Sequence, residues 1–90
     1  MKFLGHVTVT LKRGVFDPQG VTVKNALHNL SFSETEAVRT GKYFEVVMES
    51  ANPAEAEKRL NEMCDRLLVN PVIECYRCHV EPAEEMESAT

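Results

Sequence analysis

Lys2-Phe3-Leu4-Gly5-His6-Val7-Thr8-Val9-Thr10-Leu11-Lys12 is the stretch whose pattern decides the fold. Phe3, Val7, Val9 and Leu11 fall on one face, while Lys2, His6, Thr8, Thr10 and Lys12 fall on the other. A period of two in β-branched residues predicts a half-buried strand over 2–12. Lys12-Arg13-Gly14 closes it. Asp17-Pro18 then reads as a helix start, with a carboxylate to accept helix-start amides and a proline whose φ is preset. Val23, Ala26, Leu27 and Leu30 recur at helical spacing and predict an amphipathic helix of about three turns.

The next extended signal runs over 38–49, with Val38, Phe44, Val46 and Met48 on one face and Arg39, Tyr43, Glu45 and Glu49 on the other. Twelve extended residues reach about 40 Å. A globule of this length has a radius of gyration of about 12 Å, so the segment must bend or extend onto a partner. Thr40-Gly41-Lys42 is the expected bend, with Gly41 free to adopt positive φ. Asn52-Pro53-Ala54-Glu55 starts a second helix with a cap, a proline and a capping-box glutamate. Ala56, Leu60, Met63, Cys64 and Leu67 line its inner face, and Glu55–Arg59 and Glu62–Arg66 are spaced as i,i+4 pairs on its outer one. Asn70-Pro71 stops that helix, and 72–80 alternates as a last strand. The order is strand, helix, long strand or hairpin, helix, strand. It predicts an α+β fold with a small antiparallel-type sheet covered by two helices.

Ninety residues at 43% hydrophobic and 27% charged make one small globular domain. The formal charge of −4 argues against a nucleic-acid partner. Its distribution is uneven, because residues 81–90 hold four glutamates and no basic residue, leaving residues 1–80 neutral. Residues 1–80 are therefore expected to form the domain, and 81–90 a disordered acidic tail. The longest unbroken apolar run is three residues. That is far short of a membrane span or a signal-peptide core, so no membrane partner and a cytoplasmic location are expected.

No G-x-G-x-x-G, P-loop or H-E-x-x-H pattern is present. The aspartates are Asp17, needed as a cap, and Asp65, on a helix face; the histidines at 6, 28 and 79 fall in three separate elements. No catalytic residue is assigned. Cys75-Tyr76-Arg77-Cys78-His79 does match the C-x-x-C-H pattern of covalent haem attachment. On a strand, however, residues three apart point to opposite faces, so the two sulfurs diverge. As a zinc half-site the pair would need two more ligands, with Cys64 and His79 the near candidates. Cys78 is read as a core residue and Cys75 as a partly exposed one, with no metal. An odd count of three cysteines fits a reducing compartment.

Three stretches then point to a family. Residues 9–20 (Val9 to Gly20, with Gly14, Asp17 and Pro18), Val38-Arg39-Thr40-Gly41-Lys42-Tyr43, and Asn70-Pro71-Val72-Ile73-Glu74-Cys75-Tyr76 resemble the PurS family in order and spacing, over about residues 2–80. PurS is the small subunit of phosphoribosylformylglycinamidine synthase. The resemblance implies a fold related to ferredoxin-like ones and completed by dimerisation. It implies membership of an assembly that converts formylglycinamide ribonucleotide, glutamine and ATP to formylglycinamidine ribonucleotide. The partners implied are a second copy (a homodimer or dimer of dimers), a glutaminase subunit that releases ammonia, and a synthetase large subunit that holds ATP and magnesium. No cofactor is expected on this chain. Lys12, Arg13, Arg39, Gly41, Lys42 and Tyr43 become the candidate interface residues. Gly14, Asp17, Pro18, Gly20, Asn52, Pro53, Asn70 and Pro71 become turns and caps. Cys75, Cys78 and His79 form no part of the family pattern. The rival reading is a free-standing ferredoxin-like module that senses an amino acid or nucleotide at a dimer seam.

Overall fold

The computed structural model describes residues 1–83. Strand β1 (Lys2–Leu11) lies at the centre of a three-stranded sheet, between β2 (Gly41–Glu49) and β3 (Glu74–Pro82). Both neighbours run antiparallel to it, with Val7 opposite Phe44 on one side and Cys78 on the other. Sequence pattern explains the order. Phe3, Leu4, Gly5, Val7 and Val9 are buried, on both faces of β1, whereas β2 and β3 alternate between exposed and half-buried as edge strands do. The fold class is the α+β arrangement expected.

Helix α2 (Pro53–Met63) covers one face of the sheet. Asn52 Oδ1 caps it by accepting the Glu55 N–H at 2.8 Å, with Pro53 in the first turn. Leu60 and Cys64 are fully buried and meet Val7, Val9 and Val69 in the core. Asn61 fastens the helix to β3, since its Oδ1 accepts from the Tyr76 hydroxyl at 2.9 Å and from Cys78 Sγ at 3.5 Å. Two details differ from expectation. The helix ends in a π-helical turn (Cys64–Leu68), closed by Val69 N–H to Cys64 O at 3.1 Å. That wider turn carries Leu67 off the inner face to 83% exposure and brings Leu68 and Val69 inward instead. Arg59 pairs with Glu62 at 2.8 Å, one turn on, rather than with Glu55.

Helix α1 (Pro18–Asn29) behaves differently, making only marginal contact with every other element. β1 ends and β2 begins at the same end of the sheet, where Thr10 faces Gly41. The chain between them therefore leaves and returns at one place. Residues 12–40 form an arm, with α1 going out and an extended segment coming back. Ser31, at φ 77°, turns the chain after the helix, with Phe32 N–H bonded to Leu27 O at 2.9 Å. His28 Nε2 reaches Thr35 O at 2.8 Å near the tip. The arm helps to explain a radius of gyration of 16.7 Å and a long axis of 49 Å. Two-helix cover is thus not achieved within one chain: Val23, Ala26 and Leu30, expected to be an inner stripe, are exposed.

The long strand is also shorter than its pattern. Val38 to Thr40 belong to the returning arm, and Gly41 opens β2 without positive φ. Glycine is required there because a Cβ would fall well inside contact distance of the Val9 carbonyl oxygen. Positive φ occurs instead at Gly14, at 88°. At the other end β3 runs to Pro82, and Ala83 is buried with its N–H bonded to Lys2 O at 2.9 Å. Residues 81–83 therefore belong to the domain and not to a tail, because they complete the pairing with the start of β1. The remainder of the expected tail, 84–90, lies outside the described residues.

Candidate functional site

The root of the arm is held by Asp17, the expected helix cap. Its carboxylate accepts the Gly20 N–H at 2.8 Å, the Thr40 N–H at 2.7 Å and the Thr40 hydroxyl at 3.0 Å. Those bonds, the Thr40 N–H first and the Gly20 N–H next, hold the carboxyl below its ordinary pKa. Gly20 allows α1 to lie against the returning segment, since a Cβ there would collide with the Val38 carbonyl oxygen. Pro18 occupies the first helical turn.

The interface candidates divide between two places. Arg39 turns inward, its Nη2 donating to Leu11 O at 3.0 Å and Lys12 O at 3.2 Å, so it braces the end of β1. Arg39, Arg13 and Gly14 line an open hollow of about 530 Å³ with Thr10, Leu11 and Cys75. Next to it lies a smaller hollow of about 230 Å³, whose walls include Leu11, Asp17, Gly41, Lys42 and Glu74. Lys42 Nζ sits 3.3 Å from Glu74 Oε2 and 6.0 Å from the centre of the Phe44 ring. The Asn70 N–H, donated to Glu74 at 2.8 Å, holds that carboxyl below its usual range, with Lys42 assisting. Asn70 Oδ1 also accepts the Val72 N–H at 3.0 Å, so Asn70-Pro71 is the turn into β3. Lys12 is exposed beside these hollows, its N–H bonded to Ile73 O at 2.8 Å.

Tyr43 is separate. Its hydroxyl bonds to His6 Nδ1 and to Glu45 Oε2, the latter at 3.1 Å, on the sheet face that α2 leaves open. Burial raises the Tyr43 pKa and Glu45 adds to the effect. His6 Nε2 lies 2.6 Å from Glu81 Oε2, and the His6 ring stacks on His79 at 4.5 Å. A Tyr43–His6–Glu81 chain thus crosses all three strands. Sequence reading missed it, although His6, Tyr43 and Glu45 stood on the polar side of their strands; cross-strand register was the absent information. Cys75 lies opposite Thr10 on this open face and Cys78 opposite Val7 on the core face, so the sulfurs diverge as the strand period required. Among the described residues, no group of three or more His, Cys, Asp or Glu side chains is arranged to hold a metal ion.

These features describe a braced surface with two hollows, one of them lined by Arg13 and Arg39, rather than a nucleophile–base pair at the bottom of a cleft. Comparison with known proteins gives it an identity. Residues 5–82 match the family model described as PurS, phosphoribosylformylglycinamidine (FGAM) synthase. The phosphoribosylformylglycinamidine synthase subunit PurS of Bacillus subtilis is 45% identical over 75 residues, covering 83% of this chain and 88% of that protein. The structure of Thermus thermophilus PurS superimposes with a TM-score of 0.83 at 35% identity, over 91% of this chain and 98% of that one. The structure of PurLQS from Thermotoga maritima gives a TM-score of 0.83 at 28% identity, over 90% of this chain and 99% of the matched one. The family match favours a synthase subunit over a free-standing sensing module. The chain belongs to the PurS family, the phosphoribosylformylglycinamidine synthase subunits of purine biosynthesis.

Proposed function

We propose that this chain is the non-catalytic assembly and ammonia-transfer subunit of its synthase, working in the cytoplasm as a homodimer or dimer of dimers. It bridges a glutaminase subunit, which releases ammonia, and a synthetase large subunit, which binds ATP, magnesium and formylglycinamide ribonucleotide. The chain itself carries no cofactor and contacts neither nucleic acid nor membrane. Among the described residues no helix is long and apolar enough to cross a membrane. The observation that carries the reading is the near-complete overlap with one chain of the PurLQS structure. Geometry supports it, because polar groups at the arm root are engaged in bracing backbone rather than poised for chemistry.

Lys12, Arg13, Gly41 and Lys42 offer the surface for the large subunit, with Arg39 fixing its shape. Tyr43 belongs to the open face. The test is reconstitution from purified subunits. The chain is expected to show neither synthase nor glutaminase turnover by itself, and to restore glutamine-dependent product formation when added to the other two. A full glutamine-dependent rate without it would overturn the reading.

A further inference from the structure

The larger hollow at the root of the arm gathers cationic and N–H groups, and among the described residues its wall holds no carboxylate. Arg13, Gly14 and Arg39 enclose a volume of about 530 Å³ with Thr10, Leu11 and Cys75. Arg39 is a fixed group there. Its Nη2 donates to the Leu11 and Lys12 carbonyl oxygens, at 3.0 and 3.2 Å. Those acceptors are neutral, so the guanidinium is held in place with its charge uncompensated. Asp17 feels that charge, but its carboxylate is engaged by the Gly20 and Thr40 N–H groups. Arg13 is exposed, and neither arginine forms an ion pair among the described residues.

The turn that carries Arg13 adds further donors. It is closed by Val15 N–H to Lys12 O at 3.1 Å, with Gly14 in its third position at φ 88°. A turn closed in this way leaves the N–H groups of its two middle residues, here Arg13 and Gly14, outside the closing bond. Space beside Gly14 is open, since even an added Cβ would meet nothing within 4 Å. Two guanidiniums, two turn amides and the Thr10 hydroxyl call for a compact anion with several acceptor oxygens. Guanidinium groups bind carboxylate and phosphate alike. A carboxylate offers two oxygens and one charge, whereas a phosphate monoester offers three oxygens and nearly two charges at neutral pH. Phosphate is the better match to so many donors, and the hollow has room for the body of the ester beside it.

We propose that this hollow binds a small phosphate monoester, with Arg13 and Arg39 holding its oxygens and the Arg13–Gly14 turn contributing its amides. The hollow lies within the surface assigned above to the large subunit, so its place at a subunit seam rests on that reading. Binding of phosphate by the chain alone does not. A ligand bound at a docking surface is linked to docking, each changing the other's affinity by the same factor.

Cys75, exposed in the wall of the hollow, reports on it. Competing iodoacetate, an anion, against neutral iodoacetamide at this thiol measures the pull on anions, and the ratio of the two rates cancels changes in the thiol itself. In the purified chain that ratio is expected to be at least about threefold the ratio for 2-mercaptoethanol. It should fall toward the 2-mercaptoethanol value in Arg13→Gln, and on adding inorganic phosphate at constant ionic strength. It should hold in Lys58→Gln, which removes a cation from the exposed side of α2. Nitrogen-15 NMR titration with inorganic phosphate and with ribose 5-phosphate should give saturating shifts at the amides of residues 13 and 14 in wild type and none in Arg13→Gln. Unchanged amide positions elsewhere establish that the variant is folded. A rate ratio equal to that of 2-mercaptoethanol overturns the site, and so do shifts that never saturate. Acetate binding as tightly as phosphate overturns the phosphate assignment. Reconstitution with the other subunits keeps the two readings apart: a chain that restores glutamine-dependent turnover but binds no phosphate is an assembly subunit without this site.

Discussion

Asp17 and Thr40 are 23 positions apart in sequence, yet they clasp the arm shut at its root. The Asp17 carboxylate accepts both the N–H of Thr40, at 2.7 Å, and its hydroxyl, at 3.0 Å. The same carboxylate caps α1 through Gly20. One side chain therefore starts a helix and ends a loop, coupling local helix formation to the pairing of β1 with β2.

Asp17→Asn keeps the shape but loses the charge that strengthens these bonds. Its thermal midpoint is expected to fall by several degrees at neutral pH. The pH dependence has a definite sign. The folded pKa of Asp17 lies below the ordinary value, so its contribution is complete above about pH 5 and disappears as pH falls through the folded pKa. Wild type should lose midpoint temperature toward Asp17→Asn as the solution is acidified, and the two curves should converge at the acid end. Parallel curves would remove Asp17 from the acid sensitivity of the fold.

Three positions test backbone requirements separately. Gly41→Ala puts a methyl group into the Val9 carbonyl oxygen and should open the first rung of the β1–β2 pairing. Gly14→Ala meets empty space but must hold φ at 88°, a penalty of about 1–2 kcal/mol. Ser31→Gly has the opposite sign, since φ of 77° at Ser31 suits glycine better and should stabilise by up to about 1 kcal/mol. Urea midpoints should rank Ser31→Gly above wild type, then Gly14→Ala, then Gly41→Ala.

What could be read from residues alone was whatever a local pattern encodes. Alternation in 2–12 yielded β1, which ends at Leu11, and Asp17-Pro18 and Asn52-Pro53 yielded both helix starts. Opposite facing of Cys75 and Cys78 followed from the strand period. Three things were not local. Gly41 was read as a bend, but its need for glycine comes from Val9, thirty-two positions away. The stripe of α1 was read as inner because amphipathicity reports an apolar face without saying what covers it. The Tyr43–His6–Glu81 chain depends on register among three strands, which no single strand specifies. At the interface candidates, charge was legible, but the inward turn of Arg39 onto Leu11 and Lys12 was not.

Leu60 and Gly5 form a matched pair across the core. Leu60 is fully buried, and a Cβ at position 5 would come within 2.8 Å of its Cδ2. Leu60→Ala should destabilise by about 2–5 kcal/mol, the range for emptying a buried leucine site. Gly5→Ala should also destabilise, because the inserted methyl displaces Leu60. The double variant should lose less than the two losses combined, as the new methyl occupies part of the vacated space. A double-mutant cycle by urea unfolding measures the difference. Simple additivity would show that Leu60 does not rest on Gly5.

The three cysteines should react at separable rates. Burial pushes the Cys64 thiol up to about 11, and burial also raises Cys78, which packs against the same core. Few of either are thiolate at neutral pH, and Cys64 is fully buried. Cys75 stands exposed on the opposite face, its sulfur 3.5 Å from the Thr10 hydroxyl. Brief alkylation of the native protein near neutral pH should therefore modify Cys75 first, and mass mapping should place the label there. Cys78 should follow slowly and Cys64 only on unfolding, so that denaturant converts one labelled site into three. Raising the pH toward 10 should speed Cys78 much more than Cys64, because access as well as ionisation limits the buried thiol. Early labelling of Cys64 would mean that α2 lifts from the sheet far more often than its packing against Val7 and Val9 allows.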